Sequence, residues 1–506
     1  MNNGKICVSV CAQTANEFIK NIKRAEELAD IIELRFDCLS ESQLSLALQK
    51  ISETNCEKPF IITFRPTEQG GKRRLTLHER IKFWEAFFYH NKRKNLYADF
   101  EFELHAILNL KSTKSIVSFH DFSGADDNLQ ATYEALINIT NANILKIAVK
   151  TGDITDSLAV WKLLEKARIE NKQLIPIAMG EAGKWTRILV LASGAPLTYA
   201  SLDAGKETAA GQITAREMID VYRVKELDEQ TEIYGIVGNP VKHSLSPFMH
   251  NAAFKFHNLN AVYIPFEVKN LDAFIKRMVR PETREIDWNL KGFSITIPHK
   301  QTIIKYLDEI DETAQKIGAV NTVRIENGKL FGYNTDADGF IEPLKTAYGD
   351  LQNAKVAILG NGGAARAAVY ALKKRGAVAT IFARNIEKAI FLAEEFEVQL
   401  QKLSTPHLAL STYDIVVNAT PLGTKGELEA ETPATTAQVK GVKLVYDLIY
   451  NPFETKFIKE AQKASVPTIG GLAMLIAQGA KQFEIWTGST APIREMSEAV
   501  LKKMEN

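Results

Sequence analysis

A chain of 506 residues is too long for one compact core, so two or three domains are expected. Its 45% hydrophobic and 24% charged residues are those of an ordinary globular protein and exclude a disordered or low-complexity class. With 62 basic against 61 acidic side chains, no net field draws nucleic acid or an anionic membrane, and a small-molecule partner is expected instead.

The first few polar residues run straight into the strand-like Ile6-Cys7-Val8-Ser9-Val10, leaving no room for a signal peptide, and no apolar tract approaches membrane-spanning length. The expected setting is therefore soluble, reducing and cytoplasmic, or the plastid stroma if a transit peptide has been removed. Cys7, Cys11, Cys38 and Cys56 stand in neither CxxC nor zinc-ligand spacing. They read as reduced core thiols, and no metal site is expected.

Short apolar segments then follow at 6–12, 31–36, 60–64, 96–102, 115–119, 144–149, 174–178 and 196–201, each with the composition of a buried strand. The stretches between them, such as 17–29 and 77–91, have helical spacing and enough length for a crossover. Eight such units predict a closed α/β architecture, a (β/α)8 TIM barrel complete by about residue 225. An open doubly wound sheet is the competing arrangement. A charged stretch at 223–230 marks the boundary, and a mixed α/β domain is expected over 232–340. A third unit over 341–506 opens on the strand Lys355-Val-Ala-Ile-Leu359 and a glycine turn. It has the pattern of a parallel, Rossmann-like nucleotide-binding sheet, with later strands at 379–382, 415–418 and 444–447 and C-terminal helices returning to the middle domain.

Barrels carry chemistry where strands end at the C-terminal face, and here those ends are rich in ionisable groups. Glu33-Leu-Arg35-Phe-Asp37 closes the second strand, Thr63-Phe-Arg65 the third and Ser118-Phe-His120-Asp121 the fifth, while Lys146 lies within the sixth. Apolar and cationic neighbours both disfavour an ammonium, so Lys146 is a candidate nucleophile for a carbonyl, forming an imine. His120, with an ordinary pKa near neutrality, suits removal of the adjacent proton and protonation of a departing hydroxyl. The arginines would hold an anionic substrate.

These residues, with Arg187 and Ala210-Gly211-Gln212, resemble the type I 3-dehydroquinate dehydratases over residues 5–220. The resemblance implies Lys146 as Schiff-base lysine, His120 as general acid and base, and Glu33 as its supporting carboxylate. It implies Arg35, Arg65, Arg187 and Gln212 as substrate ligands, with Thr208 where the family often has serine. Gln69 stands where many members have a glutamate before the glycine pair.

In the later part, Gly360-Asn-Gly362-Gly363-Ala364-Ala365 fits the dinucleotide fingerprint between a strand and a helix, which would aim backbone N–H groups at a pyrophosphate. Some twenty residues on, Phe382-Ala-Arg384-Asn-Ile-Glu-Lys388 offers cations where an NAD-binding chain offers an acid, so NADP is the expected cofactor. Ahead of the loop lie Ser244-Leu-Ser246-Pro247, Thr296-Ile-Pro-His-Lys300, Asn321-Thr322 and Asn334-Thr335-Asp336, hydroxyls and amides able to bind a polyhydroxylated acid. With Asn418-Ala-Thr420-Pro, Tyr450-Asn-Pro and Gly470-Gly-Leu-Ala-Met-Leu-Ile-Ala-Gln478, these blocks resemble shikimate dehydrogenase over residues 233–501. The resemblance implies Lys300 and Asp336 as the catalytic pair, and Ser244, Ser246, Thr296, Asn321, Tyr450 and Gln478 at substrate. Gly360, Gly362, Gly363, Ala364, Arg384, Lys388, Asn418, Thr420 and Gly470 would hold NADP. Ala383 and Asn385 stand where Asn-Arg-Thr is common.

The expected function is thus dehydration of 3-dehydroquinate to 3-dehydroshikimate through a lysine imine, followed by NADPH-dependent reduction to shikimate. Quinate as the second substrate, and a non-catalytic metabolite sensor, are the alternatives. Oligomeric state is not legible.

Overall fold

The computed structural model describes residues 2–505 apart from 92, 94, 109–113, 125–127, 140, 141 and 404–409. The chain divides into two compact units, one of residues 1–244 with 260–290, the other of 245–259 with 291–506.

In the first unit eight strands follow in chain order: β1 (Lys5–Val10), β2 (Ile31–Arg35), β3 (Phe60–Thr63), β4 (Leu96–Glu101), β5 (Lys114–Asp121), β6 (Ile144–Lys150), β7 (Leu174–Met179) and β8 (Leu197–Ser201). They pair in parallel in the order β7-β6-β5-β4-β3-β2-β1-β8, a nearly closed barrel. Helices such as Ala15–Glu26 and Leu77–His90 form the crossovers, each started by a threonine, Thr14 or Thr76, whose hydroxyl accepts the amide of the third helical residue. All eight apolar segments predicted as strands are strands. They are sheathed by helices outside and filled with side chains inside, so both faces are buried and the sequence shows a continuous apolar run. The same unit holds β9 (Glu232–Gly238) and β10 (Ala261–Glu267), paired in parallel.

One expectation fails here. Cys11 and Cys38 form a disulfide, with Cα atoms 5.4 Å apart, and only Cys7 and Cys56 are free. The register sets Val10 of β1 beside Leu34 of β2, so the loops leaving these neighbouring strands start side by side. Sequence spacing carries no trace of that adjacency.

In the second unit, β11 (Leu290–Ile295), β12 (Glu309–Ile310), β13 (Thr322–Glu326) and β14 (Lys329–Tyr333) run in the order β11-β13-β14-β12. Beyond them, β15 (Lys355–Leu359), β16 (Val378–Ala383), β17 (Gln399–Lys402), β18 (Ile415–Asn418), β19 (Leu444–Asp447) and β20 (Thr468–Ile469) form a wholly parallel sheet ordered β17-β16-β15-β18-β19-β20. The order reverses at β15, and in such sheets the crevice at the reversal, beyond the strands' C-terminal ends, is where a nucleotide binds. No helix among the described residues is long and apolar enough to cross a membrane.

Candidate active sites

Parallel strands place their C-terminal ends at one rim, and the predicted barrel residues meet there. Glu33, Arg35, Arg65, His120, Lys146, Arg187, Thr208 and Gln212 all line one cavity of about 410 Å³. Lys146 is 4% exposed at its floor. Its ammonium donates to Asp99 on β4 at 2.9 Å, stands 4.0 Å from Glu33 and lies over the Tyr199 ring at 4.3 Å. Burial lowers the Lys146 pKa below its ordinary value, against the pull of Asp99. For Asp99 burial acts in the opposite sense, but Arg65 and Lys146 outweigh it and hold the carboxyl far below the usual range.

His120 is held well below its ordinary pKa by burial, then by the Arg65 and Lys146 charges, so the free ring is neutral. Arg65 approaches Nε2 at 3.1 Å while donating to Asp99 at 2.7 Å and to Ser118 at 3.0 Å. A guanidinium only donates, so Nε2 is the acceptor and the proton sits on Nδ1. The resemblance implied Glu33 as the carboxylate behind His120. Glu33 instead accepts from Ser9 at 2.5 Å and Thr63 at 3.0 Å and faces Lys146, while Asp99 is the carboxylate acting on the histidine.

The arginines differ in how they are held. Arg35 is bound bidentately by Asp37 at 2.8 and 2.7 Å, and Arg65 through a single bond by Asp99 at 2.7 Å. Among the described residues Arg187 has no carboxylate within ion-pair distance and donates only to the Ala210 carbonyl, at 3.3 Å, and burial pulls it down to about 10. A buried guanidinium left uncompensated fits an incoming carboxylate. Gln212 spends its carbonyl on the amides of Thr208 and Ala209, at 2.7 and 3.3 Å. Among the described residues the Gln69 carbonyl, buried at the same cavity, has no hydrogen-bond partner. Asp99, paired with Arg65 and Lys146, and Glu101, paired with Arg65 and Arg80, are buried acids beside the site that sequence reasoning missed. Two acids ending β4 were a visible signal, since acids buried on a strand require cationic partners.

In the second unit, Lys300 follows β11 and is ion-paired with Asp336, the first residue of the helix Asp336–Tyr348. Asn321 orients that aspartate, donating to its Oδ1 at 2.8 Å and to Thr335 at 2.9 Å. Gln478 lies on the helix Gly471–Thr487, whose backbone crosses Gly339 so closely that an added Cβ there would be 2.5 Å from Gln478 Cβ. Thr296 and Tyr450 are half-buried and Ser246 is buried at the start of its helix. Ser244 belongs to the first unit.

The glycine loop suits a dinucleotide. Gly360 has φ +116°, and a Cβ there would lie 2.7 Å from the Ala419 carbonyl. Gly362 caps the helix Gly363–Lys374, and nothing lies within 4 Å of where its Cβ would be, so backbone N–H groups at a helix start are open to phosphate. Ala364 is in the first turn, and Lys300 Cδ comes within 3.9 Å of a Cβ built on Gly363, which brings that lysine beside the loop. Arg384 and Lys388 are exposed just past β16, and Gly470 caps the helix bearing Gln478. Asn418 is turned inward: its NH2 donates to Asp447 at 2.9 Å and its carbonyl accepts from Thr420, so it shapes the loop beside the site.

Family models match consecutive parts of the chain: type I 3-dehydroquinase over 6–229, shikimate dehydrogenase substrate-binding domain over 236–323, shikimate/quinate 5-dehydrogenase over 342–447 and the shikimate 5'-dehydrogenase C-terminal domain over 471–501. The chain is 33% identical over 522 residues to a chloroplastic bifunctional 3-dehydroquinate dehydratase/shikimate dehydrogenase of Arabidopsis thaliana, covering 97% of this chain and 83% of that one. It is 42% identical to the NADP(+) shikimate dehydrogenase of Methanocaldococcus jannaschii, covering 55% of this chain and 99% of that one. A crystal structure of a shikimate dehydrogenase with NADP+ superposes with a TM-score of 0.51 at 42% identity, covering 55% of this chain and 97% of that one.

Proposed function

The chain belongs to the family of bifunctional 3-dehydroquinate dehydratase/shikimate dehydrogenases, and from that premise we propose how its own residues divide the two reactions. It is a lyase and an NADP-dependent oxidoreductase of the shikimate pathway. Residues 1–225 carry the dehydratase, 232–340 bind the reductase's substrate and 341–506 hold its cofactor.

In the barrel the substrate is 3-dehydroquinate, and Arg187 takes its carboxylate. The Lys146 amine bonds to the ketone carbon and the carbonyl oxygen leaves as water, forming an imine. The protonated imine draws electrons from the adjacent carbon, whose proton passes to His120 Nε2 once Arg65 releases that nitrogen. The same proton then leaves with the β-hydroxyl as water. Hydrolysis of the imine frees 3-dehydroshikimate and restores Lys146. Asp99 and Glu33 offset the positive charge on the lysine nitrogen in the protonated imine, a charge that is lost as the neutral enamine forms and returns as the hydroxyl departs.

In the second unit 3-dehydroshikimate is reduced to shikimate. NADPH, when bound, supplies hydride to the ketone carbon. Lys300 gives a proton to the ketone oxygen, and Asp336, fixed by Asn321, holds the lysine toward that oxygen and takes part in its reprotonation. The glycine loop binds the pyrophosphate, and Arg384 with Lys388 binds the 2′-phosphate. A quinate-oxidising variant of this half is separated by comparing turnover of shikimate and quinate. The setting is a soluble metabolic compartment, the cytoplasm or a plastid stroma.

The observation that carries the reading is the convergence of Lys146, His120 and the uncompensated Arg187 on one cavity. Lys146→Ala should abolish dehydration and borohydride trapping of substrate while leaving ketone reduction intact. Lys300→Ala should do the reverse, and loss of both activities in either variant would contradict separate sites.

A further inference from the structure

Residues 260–290 lie in the reductase half of the sequence, yet they pack in one compact unit with the barrel. Two contacts from this segment reach two elements that wall the dehydratase cavity. The first is made at Asp153, just past β6, the strand bearing Lys146. Asp153 Oδ1 accepts from the amide and hydroxyl of Thr155 at 3.1 and 2.8 Å. Its Oδ2 accepts from the backbone amides of Lys269 and Asn270 at 2.7 and 3.1 Å. One side chain thus ties the turn after β6 to the segment, its two oxygens accepting from four donors. Thr151, two residues earlier, lines the cavity and is itself fixed to the Met179 carbonyl through its amide and hydroxyl, at 2.9 and 2.7 Å.

The second contact is made at Trp185, fully buried and two residues before Arg187 on the short helix Lys184–Leu189. Its indole donates to Ser157 at 2.8 Å, and its ring lies between Trp161, at 4.6 Å, and Trp288 of the segment, at 5.6 Å. Trp288 is fixed in turn by donating to the Met278 carbonyl at 2.8 Å. The exposed Lys162–Glu285 ion pair joins the same two parts and adds little.

We propose that residues 261–290 brace the dehydratase cavity, with Asp153 and Trp288 as positioning residues that aim the Thr151 turn and Arg187 at the substrate. This rests on the dehydratase reading of the cavity. Neither residue touches Lys146, Asp99 or His120 among the described contacts, so the brace governs where the substrate's carboxylate is held more than the chemical step. Displacements near 1 Å in such positioning groups change rates by up to about a hundredfold.

The test uses the full chain. Asp153→Ala should raise the KM for 3-dehydroquinate about tenfold with kcat changed less than about threefold, and leave shikimate oxidation by NADP+ unchanged. Trp288→Ala should move KM in the same direction, and Trp288→Phe should restore most of the loss. Where Asp153→Ala does not fold, Asp153→Asn, which keeps one acceptor oxygen, should show a smaller rise in KM. Unchanged KM in Asp153→Ala and Trp288→Ala, or a fall in kcat alone, overturns the proposal. Borohydride trapping of Lys146 in the unmutated chain separates the two levels: no trapping removes the dehydratase reading itself, whereas trapping with an unmoved KM removes only the brace.

Discussion

Lys146 shows how a single residue's chemistry depends on neighbours far away in sequence. Its apolar strand and nearby cations predict a depressed pKa, and burial does depress it. Asp99, 47 positions earlier, opposes that shift and keeps the nitrogen paired. His250 in the second unit is a simpler case. It is fully buried, sits 3.3 Å from the Gln482 carbonyl oxygen and is pulled down to about 3 by burial. The unfolded chain binds this proton below about pH 6.5, whereas the folded chain does not until about pH 3. Its contribution to stability is therefore complete above pH 6.5 and is lost as pH falls through that window. Between pH 7 and pH 5 this amounts to about 2 kcal/mol. Urea unfolding of His250→Gln should lose that much less stability over the interval than the unmutated chain, and equal losses would speak against a neutral buried imidazole.

At the scale of elements, the apolar segments 6–12 through 196–201 could be recognised because a strand buried on both faces writes itself as a continuous apolar run. The short β12, β17 and β20 carry no such run: β17, Gln-Leu-Gln-Lys, is mostly exposed at the sheet edge. The rim between β7 and β8 shows how tightly the barrel's loops are set. Gly211 has φ +75°, and a Cβ there would lie 2.1 Å from the Gly180 carbonyl oxygen. Gly180 donates in turn to Ala210, whose carbonyl receives Arg187. Gly211→Ala should cost about 1–3 kcal/mol from strain alone. It should reduce dehydration far more than ketone reduction, and parallel assays of the two activities would show whether the loss is confined to the barrel.

For the whole molecule, the expected order of a barrel, a substrate domain and a nucleotide domain follows the sequence, but the compact units cut across it by drawing 260–290 to the barrel. Cofactor binding should stay local to the second unit. At a concentration about a hundredfold above its Kd, NADP+ stabilises the state that binds it by about 3 kcal/mol. Hydrogen exchange should then slow at 360–366 and 382–388 and remain unchanged in β1–β8. Equal protection of the barrel strands would mean that the two units respond as one.

The sequence alone determined what is local: strands from apolar runs, the glycine loop from its spacing, and the placement of Lys146, His120, Lys300 and Asp336 within a few residues of a strand end. Tertiary structure decided what depends on register between distant strands. Asp99 became the partner of Lys146, Glu33 turned to that lysine rather than to His120, and Cys11 met Cys38. Residues 260–290 came to rest in one unit with the barrel in the same way. Such pairings are set by which elements pack side by side, and local periodicity carries no information about that.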